Sequence, residues 1–223
     1  MPSEDYMDLD EQDERDDIID ADEDHGLVDD SADDDTDLDD AEDTDDTDED
    51  TVTFASLGLP EEILEAVTDM GFRVPTPIQA AAIPPLLELR DVVGIAQTGT
   101  GKTAAFGLPL LAIVDADERD VQALVLAPTR ELAMQSAQAI EDFAARTARL
   151  DVVPVYGGSP YGPQIGALKR GAQVVVGTPG RVIDLIEKGA LDLSNVRMLV
   201  LDEADEMLRM GFAEDVETIA SSV

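Results

Sequence analysis

The sequence predicts an α/β domain built on a mostly parallel sheet with helices on both faces. Three observations carry this reading. Near-continuous apolar runs at residues 123–127, 152–156, 173–177 and 197–201 alternate with helical patterns. Strands buried on both faces by crossover helices read this way. A further apolar run, residues 92–96, leads into a glycine-bearing turn, and Lys102-Thr103 opens an Ala-rich helical stretch. That order is strand, phosphate loop, helix. Finally, the run 197–201 ends in Asp202-Glu203-Ala204-Asp205. Carboxylates at the C-terminal end of a parallel strand, opposite a phosphate loop, stand where Mg²⁺ would be held.

Along the chain, residues 1–50 hold 28 acidic side chains against one arginine. Such a block buries too little apolar surface to offset its ordering entropy, so a disordered acidic tail is expected. Charge runs are usually just solvated, which favours a solubilising role. The alternative is an intramolecular mask that competes with RNA phosphates, and protein partners through the tail are a further expectation. His25, the only histidine, has no partner at metal-ligand spacing there.

From Thr51 the composition changes. Ile63, Leu64, Val67 and Met70 share one helical face, with Pro60 in the first turn and Gly71 as the stop. A second helix starts with Thr76 as N-cap and Pro77 at N1, and Pro84-Pro85 is expected to interrupt it. Gln79 carries a carboxamide that both accepts and donates, which suits an adenine edge, and Phe72 offers a ring to stack. Two capped surface helices with an exposed glutamine fit the same spacing.

In the phosphate loop, Ala96-Gln97-Thr98-Gly99-Thr100-Gly101-Lys102-Thr103 departs from G-x-x-x-x-G-K-[ST] only at Ala96. Gly99 and Gly101 let the backbone approach an anion, and the helix N-terminus points N–H groups at phosphates. Lys102 can reach the β- and γ-phosphates, the Thr103 hydroxyl can ligate Mg²⁺, and Glu203 is placed to orient or deprotonate a water. Right-handed crossovers bring the other strand ends to the same edge. There, Pro128-Thr129-Arg130, Gly157-Gly158 and Thr178-Pro179-Gly180-Arg181 offer donors for a sugar-phosphate backbone rather than for base edges. Any one of them is ordinary turn chemistry; three on one edge suggest a polyanion track.

Composition narrows the classes. The 223 residues suffice for one α/β domain plus a tail, and the absence of cysteine excludes disulfides and thiolate metal sites. No apolar run approaches the ~18–20 residues that span a bilayer, and the acidic N-terminus is no signal peptide. A cytoplasmic protein is expected. Of the net charge of −38, residues 51–223 contribute 24 acidic against 13 basic side chains. Gross charge thus argues against nucleic acid, and an RNA site must be a local patch.

From Phe54 to about Phe212 the chain resembles the N-terminal RecA-like domain of DEAD-box RNA helicases. Gly71 to Gln79 looks like the Q motif, with Phe54 the isolated upstream aromatic. AQTGTGKT at 96–103 resembles motif I and explains the Ala for Gly departure. PTREL at 128–132 resembles motif Ia, Gly157-Gly158 the GG element, TPGR at 178–181 motif Ib, and Asp202 to Asp205 the DEAD element. The resemblance implies ATP-driven local unwinding of RNA duplexes with Mg²⁺. In it Gln79 reads adenine, Phe72 stacks, residues 96–103 hold phosphates and Asp202 binds the metal through water. Glu203 activates the attacking water, Asp205 couples nucleotide state to RNA, and motifs Ia, GG and Ib hold one strand by its backbone. An ATP-gated RNA clamp shares every motif; a P-loop ATPase acting on protein or DNA fits the Q, Ia and Ib elements less well.

Against the family pattern, residues 51–223 read as an incomplete first domain. No Ser-Ala-Thr motif and no second RecA-like domain follow before Val223. In the family, the strand leading to that motif lies between the phosphate-loop and DEAD strands. Without it, 92–96 and 197–201 are expected about two strand spacings apart, ~9.5 Å, with unpaired ladder edges. The chain alone is then expected to be inactive in unwinding.

Overall fold

A computed structural model describes residues 52–97 and 99–223, all within a compact unit spanning Asp48–Val223. The tail with His25, and Thr98 of the phosphate loop, lie outside the described residues.

Four parallel strands, β1 (Ala123–Leu126), β2 (Val152–Val155), β3 (Val174–Gly177) and β4 (Met198–Leu201), form one sheet in the order β2-β3-β1-β4. Because side chains alternate, Ala123, Val125, Val174 and Val176 enter one core with Leu108 and Ile140. Leu124, Leu126 and Val175 enter the other with Leu185 and Met207. Each fully buried leucine contributes about 1.5–3 kcal/mol of transfer free energy. Pro154 sits on β2, which pairs with β3 on one side only, an edge position where a missing N–H is tolerated.

The helices are α1 (Glu61–Asp69), α2 (Pro77–Leu87), α3 (Lys102–Ile113), α4 (Arg130–Phe143), α5 (Tyr161–Arg170), α6 (Pro179–Glu187), α7 (Ala204–Arg209) and α8 (Ala213–Ala220). Helices α3 and α4 supply the first core, α6 and α7 the second, so the sheet is covered on both faces as expected. All four strands run toward the same edge, and that edge carries residues 127–130, 156–158, 178–181 and 202–205.

Two local expectations are corrected. Pro84-Pro85 does not interrupt α2, which runs through both to Leu87. Burial of Ala82 and Ile83 just before the prolines anchors that turn, and Glu88 and Arg90 N–H groups close it on the carbonyls of Pro84 and Pro85. Residues 92–96 do not form a strand: they carry no ladder, and Val93 and Ile95 are 93% and 95% exposed. An extended segment becomes a strand only when a neighbour supplies its hydrogen bonds. Among the described residues no strand lies beyond β4 on that side, and Leu201 is left 41% exposed.

Candidate nucleotide and nucleic-acid site

The phosphate loop closes onto α3 through Gly101, whose φ of +87° caps the helix in the left-handed region. Gly101 also abuts Gln79: an added Cβ would collide with its carboxamide nitrogen. Thr100 Oγ1 donates to the Gln97 carbonyl at 2.7 Å and tightens the turn. Beside the loop, Pro77, Ile78, Ile95, Ala96, Gln97 and Thr100 line an open cleft of about 390 Å³.

Lys102, the first residue of α3, donates from Nζ to Glu203 Oε1 at 2.7 Å, with both side chains about a quarter exposed. Phosphate loop and DEAD element are thus in direct contact across 101 residues of sequence. Glu203 holds φ at +51° as N-cap of α7. A non-glycine residue there stores about 1–3 kcal/mol of strain, which the surrounding contacts must hold.

Asp202 sits one residue before, its N–H bound to the Leu126 carbonyl at 2.9 Å. Its Oδ2 accepts from the Ser136 hydroxyl at 3.0 Å. Burial pushes the Asp202 carboxyl above the usual carboxylate range; the Ser136 bond draws it back, Glu203 raises it and Lys102 lowers it. Among the described residues no three His, Cys, Asp or Glu side chains cluster as a metal site. The oxygen donors that Asp202 and Thr103 carry are of the hard type that a divalent cation takes. Asp205 is exposed and accepts from Arg209 on its own helix at 3.1 Å.

Gln79 is not the exposed glutamine that capped surface helices would give. It is 2% exposed; Oε1 accepts from the Thr76 N–H at 2.9 Å and Nε2 donates to the Gly101 carbonyl at 3.2 Å. It therefore straps the start of α2 to the phosphate loop with half of its hydrogen-bonding capacity. Gln79→Ala is expected to cost about 1–3 kcal/mol of stability and to erase any preference for ATP over GTP. A thermal melt and a nucleotide competition on one preparation check both. Phe72 is 39% exposed and packs edge-on against Phe54 and Phe143, each at 6.4 Å between centroids. Phe143, at the end of α4, was not among the residues singled out from sequence.

On the same edge, Thr129 caps α4 by accepting from the Leu132 N–H at 3.2 Å. Arg130 is exposed, and its guanidinium lies over the Tyr156 ring at 4.9 Å. Pro128 and Pro179 are buried, Thr178 half-buried. A Cβ at Gly157, Gly158 or Gly180 would meet nothing within 4 Å, so these glycines leave open surface for a ligand's close approach.

Arg181 departs from the expected phosphate donor. It is 8% exposed and donates to the Ser159 carbonyl at 3.1 and 3.2 Å and to Gln164 Oε1 at 3.0 Å, with Tyr161 at 4.2 Å from its guanidinium. A buried guanidinium with these partners braces the loop after Gly158 instead of facing solvent. Sequence could not foretell this, because its partners sit 17 and 22 residues away. If RNA binds here, Arg130→Ala should flatten the salt dependence of binding by roughly 0.7 in the log–log slope, one phosphate contact on a single strand. Arg181→Gln should weaken binding with the slope unchanged. Anisotropy titrations of a labelled single-stranded RNA over several salt concentrations read both.

A family described as DEAD/DEAH box helicase matches residues 76–223. The chain is 59% identical to an ATP-dependent RNA helicase DeaD of Haemophilus influenzae over 174 residues, 78% of this chain and 28% of that protein. It is 58% identical to that of Escherichia coli over 171 residues, 77% of this chain and 27% of the relative. It thus spans less than a third of the length of these relatives. Among solved structures, a DEAD box protein from the hyperthermophile Methanococcus jannaschii matches with a TM-score of 0.73 at 46% identity, over 76% of this chain and 46% of that one. A hypothetical ATP-dependent RNA helicase from Sulfolobus tokodaii matches with a TM-score of 0.68 at 41% identity, over 74% and 47%.

Proposed function

Because the chain belongs to the DEAD/DEAH box helicase family, we propose that it is the ATP-binding first domain of an ATP-dependent RNA helicase. In this reading, ATP binding and hydrolysis are coupled to local unwinding of RNA duplexes. The observation that supports it most is the contact between Lys102 and Glu203, with Asp202 adjacent. It brings a phosphate-loop ammonium and two strand-end carboxylates to one point.

In this reading Lys102 exchanges Glu203 for the β- and γ-phosphates when ATP arrives, which frees the Glu203 carboxylate to take a proton from the attacking water. Residues 96–103 wrap the phosphates with their N–H groups, and the remaining valences of Gln79 meet adenine while Phe72 covers the base. Asp202, through water, and Thr103 would hold Mg²⁺, which would supply positive charge to the phosphate oxygens. Arg130, the Thr129 and Thr178 region and the open backbone of Gly157, Gly158 and Gly180 take one RNA strand by its phosphates. Such contacts carry no base identity, so binding is sequence-independent. Asp205 links nucleotide state to that track.

No described helix is long and apolar enough to cross a membrane, and a cytoplasmic location belongs to the same proposal. The test is phosphate release from ATP with and without single-stranded RNA, on this chain and on a form extended beyond Val223. RNA-stimulated release from the extended form is expected. Turnover indifferent to RNA in both would overturn the reading.

A further inference from the structure

The bond between Ser136 and Asp202 has a role that the motifs do not assign. Ser136 lies on α4, two turns after Thr129, is 4% exposed, and donates from Oγ to Asp202 Oδ2 at 3.0 Å. A serine inside a helix costs helix propensity, and its hydroxyl ordinarily turns back to a carbonyl one turn earlier. Here it reaches across to the strand end, 66 residues away in sequence. Asp202 leaves the sheet with its N–H fixed to Leu126, so its backbone is held from one side and its carboxylate from the other.

We propose that Ser136 is a positioning residue that orients the Asp202 carboxylate toward the cation carried by the nucleotide. The inference rests on the proposed nucleotide site. The hydroxyl donates, so it occupies one carboxylate oxygen and holds the carboxylate in one orientation. Removing it frees the carboxylate to rotate about its last torsion, and the cation then binds a carboxylate that must first be ordered.

The test compares ATP affinity by calorimetry in Mg²⁺ and in EDTA, with a thermal melt on each preparation. In the parent chain Mg²⁺ should tighten ATP; no gain there would show that the nucleotide site itself is misassigned. Ser136→Ala should leave affinity in EDTA within about two-fold and cut the gain from Mg²⁺ roughly five-fold, the size of one lost hydrogen bond. Ser136→Thr and Ser136→Val have the same shape and differ in the hydroxyl alone. The threonine should keep the gain and the valine lose it. An undiminished gain in Ser136→Ala, or equal losses in the threonine and valine variants, would overturn the proposal and leave Ser136 as a core-packing residue.

Discussion

Lys102→Ala is expected to weaken ATP binding by roughly a hundred-fold. In the proposed site the ammonium exchanges its bond to Glu203 for bonds to two phosphates, and the net loss of one charged hydrogen bond costs about 1.5–3 kcal/mol. Folding should barely change. Lys102 is a quarter exposed and touches Glu203, not the core, so the variant leaves a carboxylate that water can reach. Calorimetry with ATP and a thermal melt separate the two effects: a large loss of affinity with an unmoved transition is expected. Equal affinity in the variant and the parent would show that the loop does not hold phosphate.

Glu203→Gln is expected to do the reverse. The carboxamide cannot take a proton from water, so hydrolysis in the RNA-stimulated form should fall by about 10²–10⁴-fold, the usual worth of a general base. ATP affinity should stay level or rise, because Lys102 no longer has a carboxylate partner to surrender before it meets phosphate. Single-turnover phosphate release beside equilibrium ATP binding reads the split. A variant that loses binding and hydrolysis together would place Glu203 among the structural residues of α7.

The candidate site was legible in sequence where residues are brought together by spacing along the chain. AQTGTGKT and the DEAD element announce a phosphate loop and its opposing carboxylates, and the structure joins them through Lys102 and Glu203. The parallel sheet was equally plain, since residues 123–126, 174–177 and 198–201 are apolar throughout and pair in register. What sequence left hidden depends on distant packing. Ser136 looks like any helical serine until its hydroxyl is seen to reach Asp202, just past the end of β4. Arg181 looks like a phosphate donor until Gln164 and Ser159 are seen to enclose it. Gln79 reads as an adenine reader, and only the fold reveals the bond it gives to the Gly101 carbonyl. The run at residues 92–96 misleads for a related reason: its apolar side chains predict a strand, but no ladder neighbour stands beside it among the described residues.

Residues 79, 96–103, 202 and 203 are proposed to form one adenine nucleotide site. Calorimetric titration of the unmodified chain with ATP and with GTP, both in Mg²⁺, tests it most directly. A saturable one-to-one heat with ATP, and GTP binding weaker by ten-fold or more, is the predicted result. No saturable binding of either nucleotide, or the same affinity for both, would contradict it.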